Sequence, residues 1–109
     1  MIKHIVMWKL KNFAEGANKD ENALMVKSKL EGLKKKIKCV KALEVGFNIN
    51  ESPTAYDVVL YTEFETLEDM NKYKTHPEHK KVGDFVTKVR LERKAIDYQI
   101  ADNLAKRKS

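Results

Sequence analysis

Short apolar segments separated by longer amphipathic ones make up most of this chain. Residues 2–10 carry large apolar side chains at both even-numbered and odd-numbered positions. Successive side chains of a strand point to opposite faces, so this pattern predicts a strand that is covered on both sides. Residues 40–49 and 56–64 predict two further strands, and residues 94–100 predict a last one. Residues 11–18 contain a glycine and two asparagines and predict a loop.

Apolar residues spaced by three or four positions predict three helices between these strands. The first helix runs from about residue 19 to residue 37. The segment Thr66-Leu67-Glu68-Asp69 resembles a capping box and starts the second helix. Proline disfavours helical geometry at the residue before it but suits the first position of a helix. Pro77 therefore ends the second helix near His76 and begins a third, which reaches about residue 89.

The predicted order of elements, β-α-β-β-α-α-β, is that of the ferredoxin-like fold in the α+β class. Such a fold has a four-stranded antiparallel sheet with its helices on one face. The strands are apolar on both faces, so the second face needs a cover, and a second copy of the chain is the simplest one. We therefore predict a homodimer that forms an α/β barrel. Residues 1–100 are expected to form this domain, and residues 101–109 a basic C-terminal tail.

Composition argues against several classes of function. The 109 residues carry a formal net charge of +6 and a single cysteine, which excludes an internal disulfide and fits a reducing cytoplasm. No apolar run approaches the ~20 residues that span a bilayer, so no membrane partner is expected. The densest run of lysines, at residues 34–38, lacks interleaved aromatic residues and ends a helix, where cations complement the dipole. Nucleic acid is therefore not expected as a partner.

Candidate chemistry concentrates at the junction between the second and third helices. Tyr73, His76 and His79 lie there, and the third histidine, His4, lies in the first strand. Imidazole is the side chain whose ordinary pKa lies closest to neutrality. His79 falls in the first turn of the third helix, where the dipole and the two lysines that follow disfavour its protonated form. We therefore expect the pKa of His79 to be lowered, leaving a neutral ring that can accept a proton.

These features resemble the stress-responsive A/B barrel domain family, the dimeric α/β-barrel proteins. The resemblance rests on the opening strand at residues 2–10, on Tyr73-Lys74-Thr75-His76-Pro77-Glu78-His79, and on Asp97-Tyr98 in the last strand. It implies a ferredoxin-like subunit, a homodimer, and a cavity between sheet and helices. Many members of the family have no known activity, and some plant members are stress-induced stable proteins. One branch contains cofactor-free polyketide cyclases, which close a poly-β-ketone chain by aldol chemistry.

The resemblance also implies roles for individual residues. In the cyclase branch a tyrosine and a histidine of the helix junction perform acid–base chemistry, and they correspond here to Tyr73 and His79. A cavity histidine of the first strand corresponds to His4. The cyclases have a further histidine in the third strand, where this chain has Tyr-Asp-Val-Val at residues 56–59. The resemblance therefore supports the fold more strongly than cyclase activity.

Three functions stay open at this point. The cavity is expected to bind a small apolar or aromatic molecule, with His4, His76 and Trp8 as ligand-binding residues. Alternatively, the protein is a cofactor-independent cyclase-like enzyme, in which His79 removes a proton and Tyr73 stabilises the enolate. A further alternative is a structural stress protein without a ligand, in which Tyr73 is a core residue and His4 a half-buried histidine. No cofactor is expected, and no metal, because the histidine pair of the junction lacks a sufficient set of further ligands.

Overall fold

A four-stranded antiparallel sheet with three helices packed on one face forms the body of the molecule. The computed structural model describes residues 1–100, so the predicted basic tail at 101–109 lies outside the described residues. In chain order the elements are β1 (Ile2–Leu10), β2 (Phe13–Ala14), β3 (Ala17–Asn18), α1 (Lys19–Lys36), β4 (Ala42–Phe47), β5 (Val58–Phe64), α2 (Leu67–Thr75), α3 (Pro77–Val89) and β6 (Arg90–Gln99). The strand order is β4-β5-β1-β6, which confirms the predicted α+β class and antiparallel sheet.

Strand β1 lies in the middle of the sheet and pairs with both β5 and β6. Its even-numbered side chains face the helices and are buried: Ile2, His4, Val6, Trp8 and Leu10. Its odd-numbered side chains lie on the opposite face and are partly exposed. The period of two therefore determines which side chains reach the space between sheet and helices, and it directs His4 and Trp8 there.

The helices begin at residues whose side chains cap them. Asn18 and Glu21 form a complete capping box at the start of α1, with the Asn18 side chain accepting from the Glu21 N–H at 2.8 Å. Thr66 accepts from the Asp69 N–H at 3.1 Å at the start of α2. His76 has extended backbone angles, ends α2 and precedes Pro77, the first residue of α3. The predicted helix break at His76 and Pro77 is confirmed.

Two segments differ from the sequence prediction. The expected loop at residues 11–18 contains the small hairpin β2–β3, whose two turn residues, Glu15 and Gly16, both have positive φ, as a type I′ turn requires. The last strand begins at Arg90 instead of residue 94 and ends at Gln99. Its first residues escaped prediction because β6 is an edge strand, exposed along almost its whole length, and edge strands carry charges in place of an alternating pattern.

The sheet face opposite the helices exposes apolar side chains in the single chain. Ile5 of β1 lies between Ile96 of β6 and Tyr61 of β5, and Met7 lies beside Val59. Ile96 is 59% exposed and Met7 is 38% exposed. We call this surface the open sheet face. Within residues 1–100, no helix is long and apolar enough to cross a membrane.

Candidate functional site

A cavity of about 200 Å³ lies between the helix-facing side of the sheet and helix α3. Its apolar walls come from β1, α1, β5 and α3: Val6, Trp8, Leu30, Leu60, Val82 and Val86. Its polar lining consists of His4, His79, Thr87, Arg90 and Arg93. Gly83 of α3 also lines it, and a Cβ atom at this position would meet nothing within 4 Å. An apolar cavity of ~150 Å³ holds a molecule the size of benzene, so this one accommodates a small ring.

The His4 ring is held by a chain of polar contacts that starts at the edge strand. His4 and Asp97 are direct neighbours in the β1–β6 pairing, and His4 Nδ1 hydrogen-bonds to Asp97 Oδ1. The other carboxylate oxygen of Asp97 accepts from Lys74 Nζ at 2.6 Å. A carboxylate can only accept, so Nδ1 carries the proton of His4. In the neutral ring Nε2 is therefore the acceptor nitrogen.

Burial and hydrogen bonding set the charges of this chain of contacts. Burial lowers the pKa of His4, and the positive charges of Lys74 and Arg93 act in the same direction against the opposing effect of Asp97. Burial alone would raise the pKa of Asp97, but the hydrogen bonds from Lys74 and His4 outweigh it, so that the pKa of this carboxyl is lowered. The arrangement near neutral pH is therefore a charged Asp97 between a charged Lys74 and a neutral His4.

Tyr73 packs between the two histidines. Its ring centroid lies 4.6 Å from that of His79 and 6.1 Å from that of His4, both in edge-on geometry. The side chain is fully buried, and its hydroxyl has no hydrogen-bond partner within residues 1–100. Burial strongly raises the pKa of Tyr73, so the hydroxyl stays protonated. The Tyr73 hydroxyl is thus a hydrogen-bond donor without an acceptor, and the Tyr73 ring is in contact with the imidazole of His79.

The pKa of His79 is lowered, in the direction predicted from the sequence, but for different reasons. Burial is the largest cause, and the positive charges of Arg93 and Lys74 and the nearby His4 add to it. Lys80 and Lys81, which follow His79 in sequence, are exposed and are not among these causes. The first turn of α3 lies against the cavity. The charges that lower the pKa of His79 therefore come from residues close in space and not from the two lysines that follow it in sequence. The outcome is a half-buried imidazole that is mostly neutral at pH 7.

Residues 2–100 match the profile of the Stress responsive A/B Barrel Domain family. The chain belongs to this family. No significant match to a curated protein was found.

Solved structures agree with this assignment. A dimeric protein of unknown function with a ferredoxin-like fold from Bacteroides fragilis is 34% identical, and the match covers 91% of this chain and 95% of that chain with a TM-score of 0.75. A dimeric ferredoxin-like protein of unknown function from Thermobifida fusca is 18% identical over 91% of this chain and 90% of that chain, with a TM-score of 0.76. A hydroxynitrile lyase from Passiflora edulis is 11% identical over 94% of each chain, with a TM-score of 0.78. The last two similarities show the fold alone.

The A/B barrel fold brings most, but not all, of the sequence-predicted site residues together. His4, His79 and Trp8 line the cavity, whereas Tyr73 lies behind the two histidine rings. His76 is not among the residues that line the cavity, because its ring caps a helix instead. Its Nδ1 accepts from the Glu78 N–H at 3.1 Å.

Four further residues of the site had no assigned role in the sequence prediction. Asp97 and Lys74 lie inside the segments that carry the family resemblance, but their contact with each other and with His4 joins residues up to 93 positions apart. Arg90 and Arg93 lie in the first residues of β6, which precede the strand predicted at residues 94–100. The pairing of β6 with β1 is the feature that would have indicated Asp97, Arg93 and Arg90 as site residues. No group of three His, Cys, Asp or Glu side chains among the described residues is placed to hold a metal ion.

Proposed function

We propose that this protein is a homodimeric A/B barrel domain protein whose cavity binds a small molecule with an apolar or aromatic body. The observation that carries the proposal is the cavity of about 200 Å³, which combines apolar walls with two histidines. Ligand sites in proteins have this composition, with mostly apolar walls and a few convergent polar groups. Trp8 supplies an aromatic surface, and His4 and His79 supply hydrogen-bonding nitrogens.

The argument for a homodimer comes from the open sheet face. Ile96 and Met7 expose large apolar surfaces there, flanked by Ile5 and Val59. Contiguous apolar patches of this kind mark interaction surfaces. The relatives from Bacteroides fragilis and Thermobifida fusca are described as dimeric, which favours a second copy of this chain as the occupant.

The experiment for ligand binding uses the single tryptophan of the chain as its reporter. One tryptophan gives one indole N–H resonance in a proton–nitrogen NMR spectrum, and Trp8 lies in the cavity wall. Titration with a small neutral aromatic compound, 4-ethylphenol, should shift this resonance in a saturable way. Binding without saturation, or no shift up to millimolar concentrations, contradicts the proposal.

Two glycines provide a matched pair of blocking and control variants. Gly83 lines the cavity and Gly32 of α1 does not, yet a Cβ atom would meet nothing within 4 Å at either position. Gly83→Leu should fill the cavity and abolish the shift, whereas Gly32→Leu should preserve it. Both changes replace a glycine within a helix, so the effect on helix propensity is the same. Equal binding by the two variants would place the ligand elsewhere.

A cyclase-like enzyme is the second candidate, and the contact between His79 and Tyr73 favours it. A neutral His79 can take a proton from a carbon beside a carbonyl. Tyr73 is buried behind the His79 ring and does not line the cavity, so in this candidate it positions His79 and does not donate directly to the enolate. The reaction class is tested by proton exchange in heavy water on an aromatic methyl ketone. Exchange faster than in buffer that is lost in His79→Gln supports catalysis. Exchange at the buffer rate leaves binding as the function.

A further inference from the structure

Two arginines at the cavity have no role in the binding function proposed above. Arg90 and Arg93 both line it, and within residues 1–100 neither forms an ion pair or a side-chain hydrogen bond. Neighbouring cations differ in this respect: Lys74 is paired with Asp97 and Lys9 with Glu92. The guanidinium groups therefore bring uncompensated positive charge to a cavity whose walls are otherwise mostly apolar.

An irregularity in the strand pairing aims both arginines at the cavity. Arg93 lies opposite Trp8, on the face that the helices cover. Arg90 is three residues away, and in a regular strand it would point to the other face. The register shifts next to Leu10, so that Arg90 pairs with this buried residue and Leu91 is left without a partner. A bulge of this kind redirects a side chain, and here it places a second guanidinium on the cavity side.

The charge of Arg93 acts inside the cavity. Its positive charge contributes to lowering the pKa of both His4 and His79, so its field reaches both imidazoles. Asp97, which lies on the same face of β6 as Arg93, is already hydrogen-bonded by Lys74 and His4. An anion bound by Arg93 would therefore offset a charge that no side chain within residues 1–100 balances.

We propose that the cavity takes molecules that combine a small apolar or aromatic body with a carboxylate, which Arg93 and Arg90 bind. Guanidinium presents its donors in a planar fork that matches the two oxygens of a carboxylate. The apolar body lies against Trp8 and Val86, and the carboxylate lies beside Arg93, a lining residue that is exposed to solvent. The inference rests on the proposed binding function and names the ligand class.

The test compares probes of nearly equal size on the full-length protein. The Trp8 indole resonance is followed during titration with 4-ethylbenzoate and, separately, with neutral 4-ethylbenzyl alcohol at low salt. We expect the carboxylate to bind at least about tenfold more tightly than the alcohol, because a hydrogen bond between charged groups contributes about this much to affinity. Arg93→Gln and Arg90→Gln should each reduce the ratio of carboxylate affinity to alcohol affinity, and together they should abolish the preference. Lys88→Gln is the matched control, because it removes the same charge from an exposed residue that does not line the cavity.

The outcomes separate this inference from the function on which it rests. If neither probe binds, the binding function itself fails. If both probes bind equally to the unaltered protein, the binding function stands and the carboxylate preference is overturned. A preference that Lys88→Gln reduces as much as Arg93→Gln would show a general charge effect and would also overturn the inference. If Arg93→Gln does not fold, Arg90→Gln and Arg93→Lys, which keeps the charge but loses the fork, decide the role of the arginines.

Discussion

Replacing Tyr73 with phenylalanine should stabilise the protein. The substitution removes only the hydroxyl, which is buried and has no hydrogen-bond partner within residues 1–100. The ring itself stays packed against Phe64 at 5.1 Å and His79 at 4.6 Å between centroids. The folded state therefore loses a desolvated polar group and keeps its aromatic contacts.

The size of the effect follows from the cost of burying an unpaired hydroxyl. Mutational data place this cost at about 1–3 kcal/mol, so the free energy of unfolding of Tyr73→Phe should rise by roughly 1–2 kcal/mol. For a chain of this length, each 1 kcal/mol raises the melting temperature by about 4 °C. A gain of this size at a single buried position is unusual, because most substitutions destabilise. A natural residue that lowers the free energy of unfolding is expected at a position where function requires that residue.

Urea denaturation followed by circular dichroism measures the change, with all variants at one protomer concentration because a dimer unfolds in a concentration-dependent way. Tyr56→Phe is the control, since the Tyr56 ring contacts Lys9 at the surface, and its free energy of unfolding should change by less than about 0.5 kcal/mol. A Tyr73→Phe variant that is less stable than the unaltered protein would refute the reasoning. It would mean that the hydroxyl has a partner in solution worth more than its desolvation.

Three further predictions concern charge and assembly. The free energy of unfolding should fall as pH drops from about 7 to 5, because the lowered pKa values of His4 and His79 let the unfolded chain take up protons first. The decrease is at most about 1.4 kcal/mol per pH unit for each proton. In urea titrations His79→Gln should make the free energy of unfolding less dependent on pH, and an unchanged dependence would contradict the assignment. Asp97→Asn should lower the pKa of His4 further in an NMR titration, since the carboxylate is what opposes the lowering; an unchanged pKa would mean that Asp97 does not face the ring. Ile96→Lys should shift sedimentation from dimer towards monomer, whereas Leu24→Lys, equally exposed but on α1, should not; a dimer that survives Ile96→Lys does not use the open sheet face.

Much of the fold could be predicted because the deciding information is local. The period of two along β1 predicts which side chains share a face, and the apolar rhythm of α1 predicts the helix surface that packs on the sheet. The break at His76 and Pro77 follows from the geometry of proline alone. For the same reason, the nearness of Tyr73 and His79 could be expected from a short junction.

The charges of the candidate site could not be predicted in this way. Asp97 reaches His4 only through the register of β1 against β6, and nothing in the local sequence of an exposed edge strand reports that register. Arg90 reaches the cavity only because the pairing shifts beside Leu10. The lowered pKa of His79 was expected from residues next to it in sequence, but it arises from burial and from Arg93 across the cavity.

The pairing of β1 with β6 therefore divides the site into two parts with different freedom to change. The buried side chains of β1, with those of the helices, form the core and the apolar walls, so substitutions there cost stability. The side chains of β6 supply Asp97, Arg93 and Arg90. The two arginines form no ion pair within residues 1–100 and lie at the edge of the sheet, where substitutions cost little. A sheet built in this way can exchange the polar groups that face its cavity while it keeps its fold. Proteins that share the A/B barrel domain should accordingly differ in their ligands mainly through the edge strand and the residues that contact it.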